Sequence, residues 1–297
     1  MKTAAQEIVD PAFFSRLDNL ELRAKSIVEG FMQGTHRSPF VGYSVEFASH
    51  REYAPGDDLR HVNWKLFARQ KRLYVKEYDA ETNMNLYIYL DVSGSMECAS
   101  TGMSKLNYGS TLAAALAHLA IKQRDAVGIT LYADKIVGHL PPKAKPHYLE
   151  EILELIATTS ARPVSDAKRA LPPAVELAKH RGMVVFISDF SDDTEAIITA
   201  IDNLRFRRHE VVLFHVLDPW ERDLPTDGNI RFQDMETGEQ IVTRTEGIRD
   251  EYLAAVDKWR KEIDEECLNR SVDRIEVTTD DPIDKALVDY LSKRWKV

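Results

Sequence analysis

Cysteine is nearly absent. Cys98 and Cys267 are the two in 297 residues, they lie far apart, and neither belongs to a Cys-x-x-Cys pair. A cysteine zinc site and a disulfide framework are therefore excluded as organising features, and each thiol reads as an ordinary reduced side chain. Positive charge is also in deficit, with 39 Lys and Arg against 48 Asp and Glu and a formal charge of −9. That balance speaks against a general nucleic-acid coat, because phosphate binding rests on cationic surface. Long apolar runs are missing too: residues 183–187 and 211–217 fall far short of the roughly 20 residues a membrane helix needs. Residues 1–10 mix Lys2, Glu7 and Asp10 with small residues and lack a charged-then-apolar leader. The expectation is a cytoplasmic protein with no transmembrane segment of its own. Four catalytic signatures are absent as well: the Gly-x-x-x-x-Gly-Lys phosphate loop, Gly-x-Gly-x-x-Gly after a strand, His-Glu-x-x-His and the Gly-x-Ser-x-Gly elbow. At 44% hydrophobic residues the chain can nonetheless bury one large core or two modest ones, with no repeat or low-complexity linker.

What is present centres on residues 85–96, Asn-Leu-Tyr-Ile-Tyr-Leu-Asp-Val-Ser-Gly-Ser-Met. Leu86, Ile88 and Leu90 alternate with Tyr87 and Tyr89 in a strand-preferring run that stops at Asp91. Asp91, Ser93 and Ser95 then occupy every second position, and Gly94 lets the chain turn between the serines. One carboxylate and two hydroxyls beyond a strand suit a hard divalent ion that prefers oxygen. The same residues also suit a turn-and-cap device, in which Asp and Ser bond nearby backbone amides. Both readings stand on local residues alone. A nucleophilic Asp91 would want a second carboxylate two residues on, where Ser93 stands, so the chain reads as a binder rather than an enzyme.

Along the chain, residues 11–33 carry an apolar stripe (Phe13, Phe14, Leu17, Leu20, Ile27, Val28, Phe31) that predicts an amphipathic helix. Residues 36–78 interleave Arg37, Arg51, Arg60, Lys65, Arg69, Lys71 and Arg72 with Tyr53, Trp64 and Phe67. Such a mixture can stack bases and hold phosphates, but Glu46, Glu52, Asp57 and Asp58 among the cations favour internal ion pairs. Strands are expected at 43–47 and 72–78, paired with each other, and a turn at Pro55-Gly56-Asp57-Asp58. Helices follow at 106–123, 147–158, 168–180 and 194–205, the third with a start delayed by Pro172 and Pro173. Strands are expected at 125–132, 136–140, 184–187 and 210–217. Strands alternating with helices predict a mostly parallel α/β sheet covered on both faces, with its ligand crevice beyond the carboxyl ends of the strands. Asp91 and Asp189 both fall at such ends. A hairpin at 230–244, a charged helix at 247–269, a strand at 274–278 and a helix at 282–294 complete the chain. The domain reading is 1–80 for the N-terminal helix and signature block, 81–218 for the core, 219–272 for an excursion, and 273–297 for a strand and helix that rejoin the core.

Two family resemblances attach to these residues. Asp91-x-Ser93-x-Ser95 directly after an apolar strand resembles the first loop of the metal-ion-dependent adhesion site in von Willebrand factor A domains. The resemblance implies two further ligands: Asp189 as the third-loop carboxylate and Ser165, in the place of the usual Thr, from the second loop, with Asp166 as a competing donor. The segment Glu46-Phe47, Arg51-Glu52-Tyr53, Gly56-Asp57-Asp58, Arg60, Trp64 and 73–77 resembles the signature block of the DUF58 family, which places a von Willebrand A domain immediately after it. Together they imply a Rossmann-like von Willebrand A fold with an N-terminal helix and a small β-rich ancillary segment. They further imply Mg²⁺, with Mn²⁺ as the alternative, at Asp91, Ser93, Ser95, Ser165 and Asp189. The partners implied are a MoxR-type AAA+ ATPase and the acidic side chain of a client protein, for which this chain would act as adaptor. The alternatives are a metal-free structural scaffold and a metal-dependent hydrolase.

Overall fold

The computed structural model describes residues 20–29, 44–53, 62–64, 66–67, 72–81, 84–100, 102–191, 194–224, 228–233 and 238–287. They fall in two compact units, residues 37–84 and residues 1–36 with 85–297. In the smaller unit β1 (Ser44–Glu52) pairs antiparallel with β2 (Tyr74–Glu81), with an irregularity between Phe47 and Ser49. The pairing is the one their alternating residues predict. Val62 forms an isolated bridge to Val75, and both are buried. Arg72 meets Glu52 at 3.4 Å across exposed surface, a contact of little energetic weight. The expected turn at 55–58 lies outside the described residues.

The larger unit opens with α1, residues 20–29, whose Leu20, Ala24 and Val28 recur every four residues and are all buried. The remainder of the helix expected over 11–33 lies outside the described residues. Next come β3 (Asn85–Asp91), a 3-10 turn (Gly94–Glu97), α2 (Lys105–Lys122), β4 (Ala126–Tyr132) and β5 (Ile136–Lys143). Then follow α3 (Tyr148–Ala157), α4 (Ala167–Glu176), β6 (Gly182–Ser188), α5 (Thr194–Phe206), β7 (Glu210–Leu217) and α6 (Pro219–Asp223). The hairpin β8 (Asn229–Gln233) and β9 (Gln240–Arg244), the long α7 (Thr245–Asn269), β10 (Asp273–Thr278) and α8, residues 283–287, complete it. Residues 288–294 of the expected last helix lie outside the described residues.

The central sheet has the order β10-β7-β6-β3-β4-β5. All neighbours are parallel except β4 and β5, which are joined by a turn at 133–135 too short for a parallel crossover. Counted from β3, the strands lie third, second, first, fourth, fifth, sixth, the doubly wound order. This is the mostly parallel α/β sheet, covered on both faces, that the alternation of strands and helices predicts. The two faces of β3 are both covered. Tyr87 and Tyr89 join a core with Ala170 and Leu171 of α4 and Ile197 and Ile201 of α5. On the other face Gly109 brings α2 so near Leu90 and Ile187 that a β-carbon there would lie 3.1 and 3.0 Å from their side chains.

Both ends of α4 differ from expectation, its last residue Glu176 falling short of the expected 180. The helix α4 begins at Ala167 and contains both Pro172 and Pro173. Asp166 caps it, accepting from Arg169 N at 3.0 Å. The two prolines have no amide to donate to the carbonyls four residues before them, those of the exposed Lys168 and Arg169. Among the described residues no helix is long and apolar enough to cross a membrane.

Candidate metal centre

The doubly wound order places the reversal of strand order between the parallel neighbours β3 and β6, and ligands of such sheets bind in the crevice that this switch point opens. The last residue of β3 is Asp91 and the last of β6 is Ser188, followed by Asp189. The two loops meet through Ser188 Oγ, which donates to Asp91 Oδ2 at 2.6 Å and accepts from Phe190 N at 3.0 Å. Asp91 Oδ1 accepts from Ser93 N at 2.8 Å, so Asp91 performs the turn bonding that one sequence reading assigned to it. The serine hydroxyls are not used that way. Ser93 precedes the 3-10 turn without a side-chain cap bond, and its Oγ lies 3.0 Å from Ser95 Oγ. Asp91, Ser93 and Asp189 are buried, whereas Ser95 is half-buried.

A lysine enters this site. Lys105, in the first turn of α2, is 1% exposed, and its Nζ donates to Asp189 Oδ2 at 2.6 Å and to Glu221 Oε1 of α6 at 2.5 Å. Burial opposes its charge, yet the two carboxylates outweigh burial and raise its pKa above the usual lysine value. Burial likewise works against Asp189, but Lys105 and the Ser191 amide and hydroxyl on Oδ1 hold its carboxyl below the ordinary range. Asp91 behaves oppositely. Burial, and then the charge of Asp189, push its carboxyl up to about 6 against the bonds from Ser188 and Ser93. Among the described residues no cation pairs with Asp91.

Around these groups the backbone is under tension. Phe190, directly after Asp189, has φ 51°, a left-handed value that a bulky side chain seldom adopts. Asp218, fully buried before α6, accepts from Trp220 N at 2.9 Å and from Ser100 N at 2.8 Å, clamping the stretch after the 3-10 turn to α6. The second loop approaches through Arg162, whose N donates to Val92 O at 2.7 Å and which bridges to Ser93. Ser165 stands half-buried three residues further on, and Asp166 serves as the cap of α4.

Asp91, Ser93, Ser95 and Asp189 are thus gathered at one place by the ends of β3 and β6. Lys105, Ser188, Asp218 and Glu221 are participants that sequence reasoning did not single out. Ser188 adjoins Asp189 and was within reach of that reasoning. The other three were not, since Lys105 is separated from Asp189 by 84 residues and from Glu221 by 116. Among the described residues no group of three or more His, Cys, Asp or Glu is arranged to hold a metal ion. A cation here would therefore depend on hydroxyl oxygen. The first loop fits one: adjacent corners of a magnesium octahedron with bonds of about 2.1 Å are about 3.0 Å apart, the separation of the two serine oxygens. Asp189 is committed to Lys105 and Ser191, and in that pairing would act on an ion only through water.

Strand order and connections define an α/β domain of the doubly wound class. The chain belongs to the DUF58 family: the model of that family, "Protein of unknown function DUF58", matches residues 49–262. It is 27% identical over 263 residues to the uncharacterized protein Rv1480 of Mycobacterium tuberculosis, covering 86% of this chain and 82% of that one. A shorter Mycobacterium avium protein, MAV169, is 32% identical over 130 residues, 42% of this chain and 75% of that one. Among solved structures it is similar to the conserved hypothetical protein BatB of Bacteroides thetaiotaomicron, with 17% identity, TM-score 0.47, and coverage of 72% of this chain and 100% of that one. It is also similar to the SpRpn10 VWA domain, with 10% identity, TM-score 0.41, and coverage of 70% and 95%.

Proposed function

We propose that this chain is a protein-binding module that holds Mg²⁺, or Mn²⁺, at Asp91, Ser93 and Ser95, with Asp189 and Ser165 outside them, and captures an acidic side chain of a client protein. The observation that carries the reading is the Asp91 carboxylate, paired with no cation among the described residues and buried beside two hydroxyls 3.0 Å apart at the point where the strand order reverses. Asp91, Asp189 and Glu221 bring three negative charges to one ammonium, so the crevice retains an excess that a divalent ion would balance. A bound ion would keep coordination positions that an outside carboxylate can fill in place of water. This chain's own part is to hold the hydroxyls in place through the Asp91–Ser93 turn bond, and to fix the two loops together through Ser188. Surface around the crevice must supply most of the affinity, because association costs several kcal/mol that one ionic contact does not recover. The family resemblance supports a MoxR-type AAA+ ATPase as the partner that acts on the captured client, with this chain as adaptor rather than catalyst.

The test is calorimetric titration of Mg²⁺ and Mn²⁺ into EDTA-stripped protein. Saturable heat is expected from the native chain, weaker binding from Ser95→Ala, and none from Asp91→Asn. A second reading has its own observation, the Lys105 ammonium on Asp189, which makes the site a scaffold carrying an internal cation in place of a metal. That reading predicts no heat from the native chain and identical client capture from lysate with and without EDTA.

A further inference from the structure

The hairpin of β8 and β9 stands outside the central sheet and forms a sheet of two strands. It is anchored at its base, where Leu224 before it and Thr245 after it are buried. Beyond that base β9 gives its side chains to solvent: Gln240, Ile241, Val242 and Arg244 are exposed and Thr243 is half-buried. Ile241 and Val242 each keep 67% of their surface, and Phe232, opposite Ile241, keeps 36%. Two strands alone are marginally stable in water.

The phase of the ladder fixes where the backbone groups of β9 point. Thr245 N donates to Gly228 O at 3.3 Å, which makes those two a hydrogen-bonded pair. Such pairs alternate along an antiparallel ladder, so the next are Ile230 with Thr243 and Phe232 with Ile241. The amides and carbonyls of Gln240 and Val242 therefore point away from β8, and among the described residues no strand takes them up. Natural edge strands are blunted by lysine, proline, inward charge or a bulge, or else they are covered. Residues 240–243 carry no charge and no proline, and the β-branched Ile241, Val242 and Thr243 favour extended pairing. An edge of this composition calls for a cover.

We propose that the cover is β9 of a second copy of this chain, antiparallel about a two-fold axis through Val242. Val242 then exchanges both main-chain bonds with its own counterpart, Ile241 of each copy stands opposite Thr243 of the other, and Gln240 faces Arg244. No like charges meet. The strand β8 does not suit the same operation, because it would set Arg231 against Arg231. That difference also ends the assembly at two copies: the four-stranded sheet has β8 at both edges, where the arginine opposes a further strand. One of its faces joins Phe232 and Ile241 of both copies into a single apolar strip. A strand added by another polypeptide would gain main-chain bonds but not this closure. The inference holds whether or not the crevice takes a metal.

The experiment is sedimentation velocity of the full chain over a hundredfold range of concentration. A reversible monomer–dimer equilibrium is expected from the native chain. Association at least tenfold weaker is expected from Val242→Lys, which sets two ammonium groups together on the axis at an exposed position and leaves the fold intact. Register is read separately by cysteine pairing. Facing residues of a non-hydrogen-bonded pair lie about 4.5 Å apart between α-carbons, within reach of a disulfide. An equal mixture of Ile241→Cys and Thr243→Cys is therefore expected to oxidise to a linked dimer, and either variant alone to give only the background of the native Cys98 and Cys267 thiols. A monomer at every concentration, a dimer indifferent to Val242→Lys, or equal linkage from the mixture and from the single variants would each overturn the proposal, the first assigning the edge to another polypeptide.

Discussion

Lys105 sets the residue scale, since it joins three elements through one ammonium. Its bonds to Asp189 and Glu221 are made with almost no solvent contact on the lysine or the aspartate. Removing one partner of a buried pair leaves the other charge stranded, which costs about 3–5 kcal/mol. Lys105→Met should lower the urea midpoint by a corresponding amount, and added Mg²⁺ should restore more stability to this variant than to the native chain. Asp91 lies on the other side of the balance. Its carboxyl is pushed up to about 6, so its charge at neutral pH is unfavourable in the folded state. Asp91→Asn is therefore expected to melt no lower than the native chain while losing the heat of metal binding, an outcome that separates a functional carboxylate from a structural one. The first-loop residues were legible because spacing alone puts them in one turn, and Asp189 because it follows an apolar strand. Lys105, Asp218 and Glu221 were not, because nothing near them in the chain records which carboxylate a distant helix will present.

Elements meet their limits where backbones touch. Gly182 opens β6 opposite Asn85 of β3, and a β-carbon there would lie 2.1 Å from the Asn85 carbonyl oxygen. Backbone cannot yield as a side-chain tip can. Gly182→Ala should cost about 3 kcal/mol, the upper end for overpacking, read as a lowered denaturant midpoint with unchanged slope. Tyr89 shows the opposite economy: it is fully buried, stacks on Phe186 at 5.0 Å, and donates to the Ala174 carbonyl of α4 at 2.9 Å. Tyr89→Phe keeps the stacking and loses the bond, so a destabilisation of about 1 kcal/mol is expected from the same measurement. Most elements could be read from periodicity, since β3, β6 and β7 are apolar runs and α1 repeats its apolar residues each turn. The start of α4 could not. Proline forbids an amide bond but not a helix, and whether the freed carbonyls find water depends on which face the helix buries.

Across the whole molecule, histidines couple stability to pH. His118 on α2, His139 on β5 and His209 before β7 all have pKa values lowered chiefly by burial from the ordinary 6.5. Their unfolded forms take up protons as pH falls through 6.5, whereas the folded forms resist, so the unfolded state binds more protons and stability declines on acidification. The denaturant midpoint should be lower at pH 5.5 than at pH 7.5, and His209→Gln should shrink that difference. What the sequence by itself determined was the set of strands and helices, their doubly wound class, and a first loop suited to a hard cation, because each follows from local spacing, turn chemistry and burial period. Tertiary structure alone decided that a lysine would take Asp189 and that, among the described residues, no cation would pair with Asp91. These depend on which side chains the packed helices bring within about 3 Å of one another, and no local pattern encodes that distance.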